Sequence, residues 1–76
     1  MALRRGQVSE EQLMLLIQLT KIRSAVLIKA LRMHLVEGKS QRLATETVGI
    51  NQSFLSVRLR KLRDVESTVL KLRKFY

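Results

Sequence analysis

The chain has no proline, and its three glycines stand at Gly6, Gly38 and Gly49. Helix breakers are therefore scarce, and the pattern between those three points is helical. No alternating apolar–polar run persists and no hairpin dipeptide occurs, so strands are not expected. Residues 1–8 read as a short, mobile basic arm carrying Arg4 and Arg5. Ser9 followed by Glu10, Glu11 and Gln12 is a capping box: the hydroxyl accepts from the amide three residues on, and Gln12 can reach back. The two acids also suit the positive end of the helix dipole. Helix 1 then runs through Leu13, Leu16, Ile17 and Thr20 and fades near Ile22 or Arg23. Ser24 caps a second helix with Leu27, Ala30, Leu31 and Leu35 on one face, ending before Gly38. Ser40 caps a third over 41–48, which Gly49 ends, and Asn51 caps a fourth. The fourth carries Leu55, Leu59, Leu62, Val65, Val69 and Leu72 at steps of three and four, a stripe expected to stay buried over many turns. Asp64 or Ser67 could restart a fifth helix. The expected fold is all-α: an arm over 1–8, then one small four- or five-helix domain over 9–76 containing a helix-turn-helix.

Charge narrows the partners. Fifteen Lys and Arg against 6 Asp and Glu give a formal charge of +9 on 76 residues. Such an excess attracts a polyanion, most often nucleic acid, sometimes an anionic membrane surface. No cysteine is present, so disulfides and thiolate metal sites are excluded. A chain this short then depends on tight helix packing or self-association for stability. No secretory signal is expected, because Arg4 and Arg5 are followed by Glu10 and Glu11 instead of a long apolar stretch. The apolar run from Leu13 to Leu19 is broken by Gln18 and too short to span a bilayer. The expected location is cytoplasmic, without membrane contact.

The segment 41–60 supplies the parts of a helix-turn-helix at fitting spacing. Ala44 and Val48 share one face of helix 3, with Thr45 close-packed beside them. Gly49 is free to take positive φ in the turn, Ile50 can plug the core, and Leu55 and Leu59 anchor helix 4. Gln52, Ser53, Ser56, Val57 and Arg60 are left as an outward face with Asn51 at its tip. In such motifs the first turns of the second helix meet base edges. Gln and Asn amides pair with adenine, Arg with guanine, and Val57 suits a thymine methyl. Lys39, Arg42, Arg58, Lys61 and Arg63 are the expected phosphate contacts. The alternative for the same spacing is a plain helical hairpin with solvated charges.

Other residues carry less. His34 has no Cys or second His partner and reads as a surface or packing residue, so no metal site is expected. Phe54, Phe75 and Tyr76 read as core or interface residues, and Met14 and Met33 as packing. No paired carboxylates, no nucleophile with a base and no Gly-rich phosphate loop are found, so neither an enzyme, a cofactor nor a small-molecule substrate is expected. An RNA-binding helical protein shares the charge but usually needs stacking aromatics. A module whose basic face meets an acidic protein is the other rival. Apolar residues wrap most of the way around helix 1 (Leu13 to Ile17, Leu19) and helix 2 (Val26 to Ile28, Ala30, Leu31, Met33, Leu35, Val36). One stripe is enough for a surface helix, so the excess predicts a homo-oligomer, at least a dimer, unless residues 65–76 fold back over it.

The run Val8-Ser9-Glu10-Glu11-Gln12, then Leu15-Leu16-Ile17, Leu35-Val36-Glu37-Gly38, and Asn51-Gln52-Ser53-Phe54-Leu55-Ser56 with Leu59 and Leu62 resemble the PapB-type regulators of fimbrial adhesin operons in enteric bacteria. The likeness covers about 8–76, including the closing Phe75-Tyr76 pair. It implies an all-helical, oligomeric, nucleoid-associated bacterial regulator. Such a regulator binds repeated A·T-rich sites in double-stranded DNA near fimbrial promoters and takes part in phase-variable expression. Two positions depart from the pattern: Gly49 stands where a polar residue is expected, and Ser53 where a glycine is expected. Members also usually have longer ends.

Overall fold

A computed structural model describes residues 3–76. Four α-helices follow in order: α1 (Glu10–Gln18), α2 (Ala25–Leu35), α3 (Gln41–Val48) and α4 (Gln52–Leu72), closed by one 3-10 turn (Arg73–Phe75). No strand occurs among the described residues. Each helix begins at the polar residue its sequence announces. The Ser9, Ser24 and Ser40 hydroxyls accept from the amides of Gln12, Leu27 and Leu43, and the Asn51 side chain accepts from Ser53. These bonds satisfy amides that the first turn leaves without a partner.

The core gathers Leu13, Leu16 and Ile17 of α1, Leu27, Leu31 and Leu35 of α2, Ala44 of α3, and Leu55, Leu59 and Leu62 of α4. Gly49 has φ 76° and closes α3, and the Ile50 amide loops back to the Thr45 carbonyl at 3.0 Å. That Schellman-type bond turns the chain sharply and seats Ile50 against the core. Ala44 and Thr45 are buried on α3, with Ala44 in the common core and the Thr45 hydroxyl donating to the Gln41 and Arg42 carbonyls of its own helix.

Four expectations need correction. Residues 3–8 are docked, not a free arm (Met1 and Ala2 lie outside the described residues). Leu3 and Val8 enter the core, and the Gly6 and Val8 amides donate to the His34 and Leu35 carbonyls, both at 3.1 Å. These bonds satisfy carbonyls at the end of α2 that the helix itself leaves open. The approach is tight because Gly6 and Gly38 face each other: a Cβ on Gly6 would stand 3.1 Å from Gly38 Cα. His34 is buried beneath this strap and its Nδ1 donates to Lys39 O at 2.7 Å, a packing role.

Second, α1 stops at Gln18, short of Ile22. The Thr20 hydroxyl donates to Ile17 O at 2.8 Å and accepts from the Ile22 amide at 3.2 Å, so a side chain replaces the next helical bonds. Third, the Gln12 side chain does not reach back to Ser9. It donates instead to the buried Glu66 carboxylate at 3.3 Å, tying α1 to α4.

Fourth, the α4 stripe is buried only over its first half. Leu55, Leu59 and Leu62 are enclosed, whereas Val69 and Leu72 are 41% and 45% exposed. α4 runs unbroken for 21 residues, about 31 Å at 1.5 Å per residue, and overhangs the other helices in a molecule 41 Å long. It does not fold back. The excess apolar surface is therefore on α1 and the end of α4, with Leu15 and Leu19 more than half exposed. Most of the α2 excess is absorbed internally, Val26 excepted. Phe54, Phe75 and Tyr76 lie outside the core.

Candidate nucleic-acid interface

With Leu55, Leu59 and Leu62 facing inward, helical geometry sorts the rest of α4 into three stripes. Ser53, Val57 and Arg60, spaced four and three apart, point away from the core and are all exposed. Gln52, Ser56 and Arg63 occupy the flank nearest α3, where Ser56 Oγ donates to Gln41 Oε1 at 2.7 Å. Phe54, Arg58 and Lys61 form the opposite flank, beside the α1–α2 loop. The five residues expected as one reading face are thus split between the outward stripe and the α3 flank.

Asn51 is exposed, but its side-chain oxygen accepts from the Ser53 amide at 2.7 Å. Its amide nitrogen is the group left for a ligand. Gln52 and Arg60 are exposed and make no side-chain hydrogen bond among the described residues, so both can reorient toward a partner. Ser56 has its hydroxyl hydrogen committed to Gln41 and presents only lone pairs. Gln41 itself sits in the first turn of α3 and was missed from sequence, because its role comes from a contact across the turn.

Cations stand on both flanks. Lys39 is exposed just ahead of the Ser40 cap, and Arg42 is exposed on α3. Arg42 Nε is 3.0 Å from Glu46 Oε1, an i,i+4 pair between well-exposed side chains that water screens heavily. Arg63 shares this side. Across α4, the Arg58 guanidinium lies over the Phe54 ring at 5.1 Å from its centroid, with Lys61 one turn on. Lys21 and Arg23 join this second group from the α1–α2 loop. Their position depends on where α1 ends, which periodicity misjudges. No group of three or more potential metal ligands occurs among the described residues, and no described helix is long and apolar enough to cross a membrane.

The arrangement presents the outward Ser53–Val57–Arg60 stripe, with the Asn51 and Gln52 amides at the start of the helix, between two flanks of positive charge. Known proteins resemble this chain in sequence and in fold. All of residues 1–76 match the family described as adhesin biosynthesis transcription regulatory protein, PapB. The chain is 40% identical over 63 residues to the regulatory protein FanB of Escherichia coli, covering 83% of this chain and 64% of FanB. It is 35% identical over 71 residues to the F1845 adhesin operon regulatory protein of Escherichia coli, covering 93% of this chain and 84% of that one. The match thus spans less than two thirds of FanB's length. The fold superposes on the crystal structure of E. coli FocB with a TM-score of 0.90 at 35% identity, over 99% of this chain and 85% of FocB. Sequence and fold agree along the same residues, and the chain belongs to the PapB family of adhesin biosynthesis transcription regulatory proteins.

Proposed function

We propose that this protein regulates transcription of a fimbrial adhesin operon by binding A·T-rich repeated sites in duplex DNA as an oligomer. The observation that carries the reading is the exposed Ser53–Val57–Arg60 stripe of α4, with cations along both flanks. A helix seated in a groove of the duplex meets base edges along its outward stripe and phosphates along its sides. In this reading Gln52, Asn51 and Arg60 make polar base contacts, Val57 meets a thymine methyl, and Ser53 and Ser56 border them. Lys39, Arg42, Arg58, Lys61 and Arg63 meet phosphates. The family membership supports the regulatory role, and FanB and the F1845 regulator are named for it.

The oligomer is a second copy seated on the apolar ground between α1 and α4, where Leu15, Leu19, Val69 and Leu72 are exposed. Linked copies on repeated sites gain avidity with no new contact per subunit. Fluorescence anisotropy against a duplex, a single-stranded RNA and an acidic protein separates this reading from its rivals. Duplex DNA should bind best, with log K falling by about 0.9 per neutralised phosphate for each log unit of salt. A binding constant flat from low to moderate salt would overturn it.

A further inference from the structure

Four cations and no carboxylate, among the described residues, line an open cleft of about 680 Å³ between the α1–α2 loop and α4. Lys21 and Arg23 come from the loop, Arg58 and Lys61 from α4, with Phe54 at the lip and Leu27 beneath. The described arginine–carboxylate pairs lie elsewhere, Arg32 with Glu10 and Arg42 with Glu46. Neutral groups hold the cleft's arginines. Arg23 Nη1 donates to Thr20 O at 3.0 Å and Ile22 O at 2.7 Å, which leaves Nε and Nη2 for another acceptor. Arg58 rests on the Phe54 ring, a contact that orients a cation without neutralising it. A concave site with one sign of charge concentrates anions, and a fork fixed by its own loop carbonyls loses little freedom when a phosphate arrives.

The position of the cleft selects the anion. It lies on the flank of α4 opposite the one that bonds α3 through Ser56 and Gln41. A groove of the double helix is bounded by two phosphate strands. With the outward stripe of α4 in that groove, one strand passes Lys39, Arg42 and Arg63, and the other passes the cleft. We infer that Lys21 and Arg23, together with Arg58 and Lys61, hold phosphates of this second strand, so that the α1–α2 loop is a backbone clamp. The inference rests on the reading above that duplex DNA is the ligand.

The test uses a random-sequence duplex, because phosphate contacts carry no sequence information. The double variant Lys21→Gln/Arg23→Gln should make the plot of log K against log salt shallower by about 1.8, at about 0.9 per lost contact. At 0.1 M salt, referred to 1 M, that is roughly a 60-fold loss. A promoter fragment should lose affinity by the same factor. Arg23→Lys should keep the slope, and thermal unfolding checks that each variant is folded. Should the double variant be misfolded, Lys21→Gln alone removes a cation with no described hydrogen bond and should cost about 0.9 in slope. An unchanged slope in a folded variant overturns the clamp while leaving DNA binding intact. So does an unchanged slope accompanied by Lys21 and Arg23 amide shifts on titrating inorganic phosphate, which marks a small-anion site. Wild-type protein that binds no duplex overturns the functional reading itself.

Discussion

Leu3→Ala tests whether the docked N-terminal strap is part of the fold. Leu3 is 3% exposed within the common core. Removing three buried carbons costs about 2 kcal/mol at ~0.8 kcal/mol per methylene, the low end of Leu→Ala losses because a terminal strap relaxes easily. A domain of this size has on the order of 4–11 kcal/mol in all, and about 2 kcal/mol lowers Tm by roughly 8–16 °C. Arg4→Ala, at an exposed neighbour, should change stability by less than about 0.5 kcal/mol. Circular dichroism melts at one fixed protein concentration make the comparison, since association makes Tm concentration-dependent. Amide exchange gives a second readout. The Gly6 and Val8 amides donate to α2 carbonyls and should be protected in the wild type but exchange quickly in Leu3→Ala. Binding should weaken too, because Arg5 Nε donates to Gly38 O at 2.7 Å and so braces the turn that aims α3. A Tm change under about 2 °C, with Gly6 and Val8 unprotected in the wild type, would refute the docking and restore a free arm.

Within α4, Gln52→Ala and Arg60→Ala should weaken a promoter fragment more than random DNA, by about 1–3 kcal/mol of discrimination each, whereas Lys61→Ala should weaken both alike in the same titration. If Gln52→Ala, Ser56→Ala and Arg60→Ala all leave promoter affinity intact in folded protein, α4 is not the reader. For self-association, sedimentation at micromolar concentration should show dimers or larger species for the wild type and monomers for Leu19→Glu or Val69→Glu, since a buried unpaired carboxylate is costly. A wild type that sediments as a monomer both free and on DNA, without cooperative binding, rules the oligomer out.

Helix starts were legible because capping is local: Ser9, Ser24, Ser40 and Asn51 each act within three residues of themselves. The turn at Gly49 was legible for the same reason. The strap was not, because its evidence is two apolar residues, Leu3 and Val8, in a basic run, and a Gly6–Gly38 approach far apart in sequence. The α4 stripe misled in its second half, because periodicity reports which face is apolar and not whether anything covers it. The candidate readers on α4 follow from spacing alone, but their split into two stripes depends on where α3 packs, and Ser56 reveals that through Gln41.

Thr20 links the missed helix end to the clamp and gives the sharpest remaining prediction. Its side chain fits the apolar period of α1, so periodicity continues the helix through it. The hydroxyl decides otherwise, donating to Ile17 O and accepting from Ile22 N, while the Thr20 carbonyl accepts from Arg23. One residue thus ends the helix and fixes the loop's arginine. Thr20→Val keeps the shape but removes the hydroxyl. It leaves the Ile22 amide, in a residue only 6% exposed, without its acceptor, at a cost of about 1–3 kcal/mol. The loop can then extend α1 toward Ile22, which carries Arg23 away from the cleft. Below its transition, where the variant is fully folded, Thr20→Val should therefore bind random duplex with a salt slope shallower by up to about 0.9, one contact's worth. A role in stability alone would lower Tm and leave that slope untouched, and that result would sever Thr20 from DNA binding.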